Sequence, residues 1–181
     1  MKNFKSIRGA QIPTLTPNDL VPECIRTQKV YDWITDVNQY TNKTPIPEPC
    51  STQVANAIAD GVNVGFTCTS PMVPGPDATC EVLEVTNGAP GMIRVLWTVF
   101  LTVTAVNEDT EANICSFEVP VQFDDVYMVC IPEPFTADNV FCRITAVHCS
   151  VLNTVFLGNQ VQVSVTVCKD IQIEEEVKLE V

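Results

Sequence analysis

Valine, isoleucine and threonine make up 58 of the 181 residues, against 10 Ala and 8 Leu. Branching at Cβ restricts χ1 and fits a pleated surface better than a helix. These residues also alternate. Between 92 and 106, Ile93, Val95, Trp97, Val99, Leu101 and Val103 share one face, while Arg94, Thr98, Thr102 and Thr104 share the other. A period of two with one apolar side marks a half-buried strand. The chain is therefore expected to be all-β.

The same reading applied along the chain predicts further strands from Cys24 to Ile34, over 62–68, 80–86, 114–123, 126–131, 140–152 and 160–168, and a last one from Ile171 to Val181. Phe117, Val119, Val121 and Phe123 form one apolar side, and Ile171, Ile173, Val177 and Leu179 another. Residues 41–50, 70–78, 107–113 and 132–139 read as loops, 87–91 as a turn on its Asn-Gly and Pro-Gly steps, and 158–159 as a tight hairpin. One short helix is expected at 51–60, capped by Ser51 and stopped by Gly61. About eight short strands separated by turn signals imply an antiparallel two-sheet sandwich or jelly-roll. Pro13, Pro17 and Pro22 make 1–23 an extended N-terminal arm. Residues 24–181 then form a single β-sandwich domain.

Composition removes several function classes. With 22 acidic and 10 basic side chains the net charge is −12, which argues against nucleic acid, since phosphate binding needs a clustered basic face. No stretch is long and apolar enough for a membrane span, and residues 1–10 carry no signal-peptide core. The single His, His148, is expected to be a half-buried strand residue; its neighbour Cys149 points to the opposite face, so the two form no catalytic pair. The nine cysteines show no C-x-x-C, so neither zinc nor thioredoxin-like redox chemistry is indicated. Asp124-Asp125 and Glu108-Asp109-Glu111 read as solvated acidic loops without calcium-loop spacing. The sequon at Asn42-Lys43-Thr44 is read as having no role. No cofactor, metal or catalytic residue is assigned.

That leaves the thiols: Cys24, Cys50, Cys68, Cys80, Cys115, Cys130, Cys142, Cys149 and Cys168. A chain this long buries a core without cross-links, so nine cysteines need a reason. The plainer account is that most are small buried apolar residues. An odd total leaves at least one outside any intrachain pairing. Cys24, just after the arm, and Cys50, at the end of a Pro-rich loop, are expected to form disulfides to neighbouring chains. Charge is polarised as well. Lys2, Lys5 and Arg8 make the arm tip basic, whereas Glu174, Glu175 and Glu176 make the tail acidic, an arrangement suited to head-to-tail contact between copies. The arm could also add a strand to a neighbour's open sheet edge.

The run Glu23-Cys24-Ile25-Arg26-Thr27-Gln28-Lys29-Val30-Tyr31-Asp32-Trp33, with Cys168-Lys169-Asp170-Ile171-Gln172-Ile173-Glu174 near the end, resembles the Cys-rich morphogenetic spore-coat and exosporium proteins of spore-forming Firmicutes. More generally, the chain is similar to spore-appendage pilins, small β-sandwich subunits with a disulfide-forming N-terminal connector. It departs from them in having no Cys in residues 1–23. The resemblance implies synthesis in the mother-cell cytosol without a signal peptide, late oxidation, and a place on the spore surface. The expected function is that of a non-enzymatic, self-assembling subunit of a coat, exosporium or appendage, partnered by copies of itself and by other spore-surface proteins. The alternative is a binding module displaying loops 70–78 and 132–139. A sugar-active enzyme ranks last, because Trp33 and Trp97 both fall within strands and neither reads as an exposed sugar platform.

Overall fold

A computed structural model describes the backbone of residues 24–131, 134–152 and 159–180, and the side chains of 27–131, 134–152 and 159–177. The arm expected at 1–23 lies outside these residues. In chain order the elements are β1 (Cys24–Pro45), α1 (Cys50–Ala59), β2 (Val64–Thr69), β3 (Ala78–Thr86), β4 (Gly88–Asn107), β5 (Asn113–Ile131), a 3-10 turn (Ala137–Asn139), β6 (Val140–Val151) and β7 (Gln160–Glu180). The chain divides into two units, one of Val30–Glu174 and one of Met1–Lys29 and Glu175–Val181, and β1 and β7 contribute to both. All that follows concerns Val30–Glu174 unless stated.

The fold is all-β, with two antiparallel sheets arranged as a sandwich. One sheet has the order β1-β7-β6. In the other, β4 is central: β5 pairs along one edge, while β3 and β2 share the second edge in succession. The described residues hold seven strands, because two pairs of the nine stretches read as strands are continuous. The separate strands read at 114–123 and 126–131 are one, β5, and those read at 160–168 and from Ile171 are one, β7. Their polar interruptions, Asp124-Asp125 and Lys169-Asp170, stay extended because the alternation passes through them unbroken.

The alternation of β4 is realised side chain by side chain. Ile93, Val95, Trp97, Val99, Leu101, Val103 and Ala105 are fully buried, and Phe117, Val119 and Phe123 of β5 join them. From the facing sheet come Val161, Val163, Val165, Val167, Ile171 and Ile173 of β7. The turn into β4 needs its glycines: Gly88 has φ +147°, and a Cβ on Gly91 would sit 2.5 Å from the Thr86 carbonyl oxygen. Helix α1 forms where expected, but Ser51 does not cap it. The helix starts at Cys50, and the Ser51 hydroxyl donates to Glu48, which also accepts from the Thr52 hydroxyl at 2.8 Å. Those two donors hold the Glu48 carboxyl below its usual range.

Two disulfides close one margin of the sandwich, Cys68–Cys149 from β2 to β6 and Cys80–Cys142 from β3 to β6. Cys142 and Cys149 are separated by an odd number of residues, so a regular strand would point them to opposite faces. The register of β6 on β7 shifts between Ile144 and Ala146, and this bulge turns both sulfurs inward. The third bond, Cys50–Cys115, ties α1 to β5.

The Cys68–Cys149 bond spans 81 residues, a long loop to close in an unfolded chain. Replacing both cysteines by serine should lower the unfolding free energy by about 2–4 kcal/mol. Denaturant titration with and without reductant measures the difference, and an unchanged midpoint in the variant would refute the assigned pairing.

Candidate functional site

At the margin opposite the disulfides, β1 lies over β5, and β7 sends a lysine between the sheets. Lys169 occupies the inward row of β7 between Val167 and Ile171, and its side chain has no exposed surface. Its ammonium pairs with Asp125 of β5 and with Asp36 of β1, the latter at 3.2 Å. It also lies over three aromatic rings, Trp97 at 5.0 Å, Phe123 at 4.9 Å and Tyr127 at 5.7 Å from the centroids. A desolvated cation over a ring face is attracted by the ring quadrupole. Tyr40 stacks on Phe123 at 4.6 Å and completes the box.

The carboxylates are held in turn. Asn38 donates its side-chain N–H groups to both oxygens of Asp125 at 3.1 Å. The Tyr127 hydroxyl sits 3.0 Å from Asp36 Oδ2 and 3.3 Å from Asp125 Oδ2, bridging the two acids. Asp36 Oδ1 accepts the Val37 backbone N–H at 2.8 Å. Burial works to raise the Asp36 carboxyl, but hydrogen bonds from Lys169 and Tyr127, with the lysine charge and the Val37 N–H, bring it below its usual range. Burial, then the charge of Asp125 and the bond to Asp36, push the Tyr127 hydroxyl far above an ordinary tyrosine. Burial and the neighbouring charges of Asp125 and Asp124 raise Tyr40 likewise. The cluster thus joins one amine, two carboxylates and a protonated phenol in a pocket walled by aromatic rings.

Several sequence expectations change here. Asp124 and Asp125 are not a solvated loop but the middle of β5. Asp125 points inward, while Asp124 points outward and accepts from Arg94 Nε at 2.6 Å. Asp170, half of the other polar interruption, is buried and bound by Arg143 at 2.8 and 3.0 Å. The acidic loop at 107–113 does lie where expected, as an exposed turn between β4 and β5 in which the Asn107 side chain accepts from the N–H groups of Asp109 and Thr110. His148 is exposed rather than half-buried. Trp97 is fully buried, but Trp33 is 60% exposed, contrary to expectation. In β1 the inward row is Ile34, Asp36, Asn38 and Tyr40, which turns Trp33 out.

Among the cysteines, Cys50, expected to reach another chain, is bonded to Cys115 within this one, because α1 packs on β5. The side chain of Cys24 lies outside the described residues, as do Lys2, Lys5 and Arg8. Cys130 is unpaired and exposed on β5, and Cys168 is unpaired and half-buried on β7. At the acidic end, Glu174 is half-buried and Glu175 and Glu176 are exposed. Among the described residues no group of three or more His, Cys, Asp and Glu could hold a metal, and no helix is long and apolar enough to cross a membrane.

The lysine cluster was absent from the sequence reading, although a signal existed. Lys169, Asp125, Asp36 and Asn38 each stand in phase with an apolar row, where a solvated charge has no place.

No protein-family model matches the chain, and no match was found among the curated proteins or the solved structures.

Two outcomes follow from the geometry. Asp125→Ala should cost about 3–5 kcal/mol, because it strips a buried ammonium of its closest counter-charge; chemical denaturation measures it. At alkaline pH the sign runs through tyrosine. The folded Tyr127 and Tyr40 hydroxyls ionise above the ordinary tyrosine value of about 10, so their contribution is intact below that pH and is lost as pH rises past it. Tyr127→Phe should flatten this alkaline limb of the stability curve, and an unchanged limb would contradict the assignment.

Proposed function

We propose that this protein is a structural subunit that assembles with copies of itself into a spore-surface layer or fibre. The observation that carries the reading is the division of its thiols. Six cysteines staple the sandwich internally, while Cys130 stands unpaired and exposed on β5, whose only partner strand among the described residues is β4. Val126 (55% exposed), Met128 (63%) and Cys130 follow one another at every second position on the outward side of that strand. An exposed apolar row with a thiol at its end, on a strand whose Cys130 N–H is already taken by Asp32 of β1, suits docking through its outward face followed by covalent capture. The resemblance of residues 23–33 and 168–174 to spore-coat and exosporium proteins supplies the location and a late oxidising step.

A second reading, a binding module, rests on a different observation. Met72, in the loop after β2, is 86% exposed, and Trp33 and Val37 stand out from β1. Large apolar groups held in water suit recognition of another surface protein.

Purified chain, oxidised and then run on gels with and without reductant, separates the two. Self-assembly predicts a ladder that collapses under reductant, with fibres or sheets in negative stain. Cys24→Ser with Cys130→Ser should abolish the ladder and leave the three internal bonds intact. A monodisperse monomer in oxidising buffer would overturn the proposal in favour of the binding module.

A further inference from the structure

The Lys169 cluster does more than a salt bridge requires. A buried ion pair is often no more stable than an apolar replacement of the same volume. Here the amine faces two carboxylates, and each hydrogen-bonding partner of those carboxylates matches a step in an acyl-transfer reaction. We propose that Lys169 and Asp36 close an intramolecular amide bond, Nζ to Cγ, with Asp125 and Tyr127 relaying the protons.

The roles divide according to what each oxygen touches. Asp125 is in contact with the ammonium and is held by Asn38 through both its oxygens, so it is placed to accept a proton and stay where it is. The neutral amine that results is a nucleophile, in a pocket walled by Trp97, Phe123 and Tyr127 where little water competes for it. Asp36 is the acyl acceptor. Its Oδ1 already receives the Val37 N–H at 2.8 Å, a donor positioned for the charge that develops on that oxygen as the carbon becomes tetrahedral. Its Oδ2 receives the Tyr127 hydroxyl at 3.0 Å, and the same hydroxyl reaches Asp125 at 3.3 Å. Tyr127 therefore connects the acid that takes the proton to the oxygen that must leave.

The atoms balance without an oxidant, a nucleotide or a metal. The ammonium gives one proton to Asp125. Nζ attacks Cγ of Asp36, and the C–N bond forms. The nitrogen then releases a second proton. Both protons reach Oδ2, one of them through Tyr127, which gives its own hydrogen and takes the one held by Asp125. The C–Oδ2 bond breaks and one water leaves. Asp125 and Tyr127 end as they began, and nothing is oxidised or reduced. The product ties β7 to β1, neighbouring strands of one sheet, at the margin that carries no disulfide between the sheets. Fixing amine and carboxyl within contact turns a bimolecular condensation into a unimolecular one, and that proximity is a large share of what such a reaction needs.

The test is mass spectrometry of the full chain, reduced, alkylated and denatured. The expected mass is lower than that of the sequence by one water. Trypsin should release a branched species in which the peptide Val30–Lys43 is joined to Ile144–Lys178 with Lys169 uncut. A full sequence mass, or free Val30–Lys43 and cleavage after Lys169, would overturn the proposal whatever any variant does. A branch to Val95–Arg143 instead would overturn Asp36 as the acceptor. Lys169→Arg should restore the full mass, and Asp125→Asn should do so in a chain that still forms its three disulfides. Water loss persisting in Asp125→Asn would remove Asp125 from the relay. If Asp125→Asn fails to fold, Tyr127→Phe takes its place, and slower water loss in that variant after refolding is the expected result; an unchanged rate would remove Tyr127 from the relay. The outcome is independent of whether the chain assembles, since a monomer can carry the bond and a polymer can lack it.

Discussion

Every strand of the larger sheet takes its register from β4. β5 runs along one edge for nearly its whole length, and β3 and β2 divide the other. The seven fully buried side chains from Ile93 to Ala105 set where the facing sheet must lie, and the inward row of β7 meets them. A slip of one residue in any of these pairings would turn an apolar row to water and a threonine row to the core, so burial fixes register and register fixes burial. The bulges at Val82/Glu84 and Ile144/Ala146 belong to the same constraint, since they change phase where the pattern itself changes phase.

With the two sheets so placed, their margins are closed by opposite kinds of chemistry. Along β6 the closure is covalent and works largely on the unfolded chain, by joining residues far apart in sequence. Along β1 and β5 it is polar, and works on the folded chain through a lysine whose desolvation is offset only while both carboxylates and the rings stay in place. The polar margin is the more demanding. Asp36, Asn38 and Tyr40 reach across from one strand to Tyr127, Asp125 and Phe123 on another, so a shift of β1 along its axis would break three contacts together.

The periodic part of this design is legible in the sequence. The inward faces of β4, of β5 up to Phe123 and of the end of β7 follow from alternation alone, because the side-chain period of a strand is fixed by geometry. What was misread is where polar residues interrupt the pattern. Asp124-Asp125 and Lys169-Asp170 read as loop or boundary because charge is usually solvated, and each pair is in fact one outward and one inward residue, or two buried ones, within a continuing strand. Trp33 was misjudged for the opposite reason, since an aromatic residue within a strand was not read as an exposed platform when its phase in β1 turns it out. Disulfide partners lie beyond this kind of reading. Cys142 and Cys149 face the same way only because of a bulge, and their partners are set by which strands of the other sheet lie opposite.

The two closures differ in what they ask of the surroundings. Disulfides need an oxidant from outside, so the β6 margin of a chain made in a reducing compartment stays open until the compartment changes. The lysine margin needs nothing but the fold, because donor, acceptor and counter-charges are all on the chain. On the proposed reading as a surface subunit, folding would then precede cross-linking: β1, β7 and β5 come together first, which holds β6 opposite β2 and β3 and brings the paired sulfurs within reach. On that reading Cys130, the exposed one of the two unpaired described thiols, would be the one left for a neighbour under the same oxidising conditions that lock the interior.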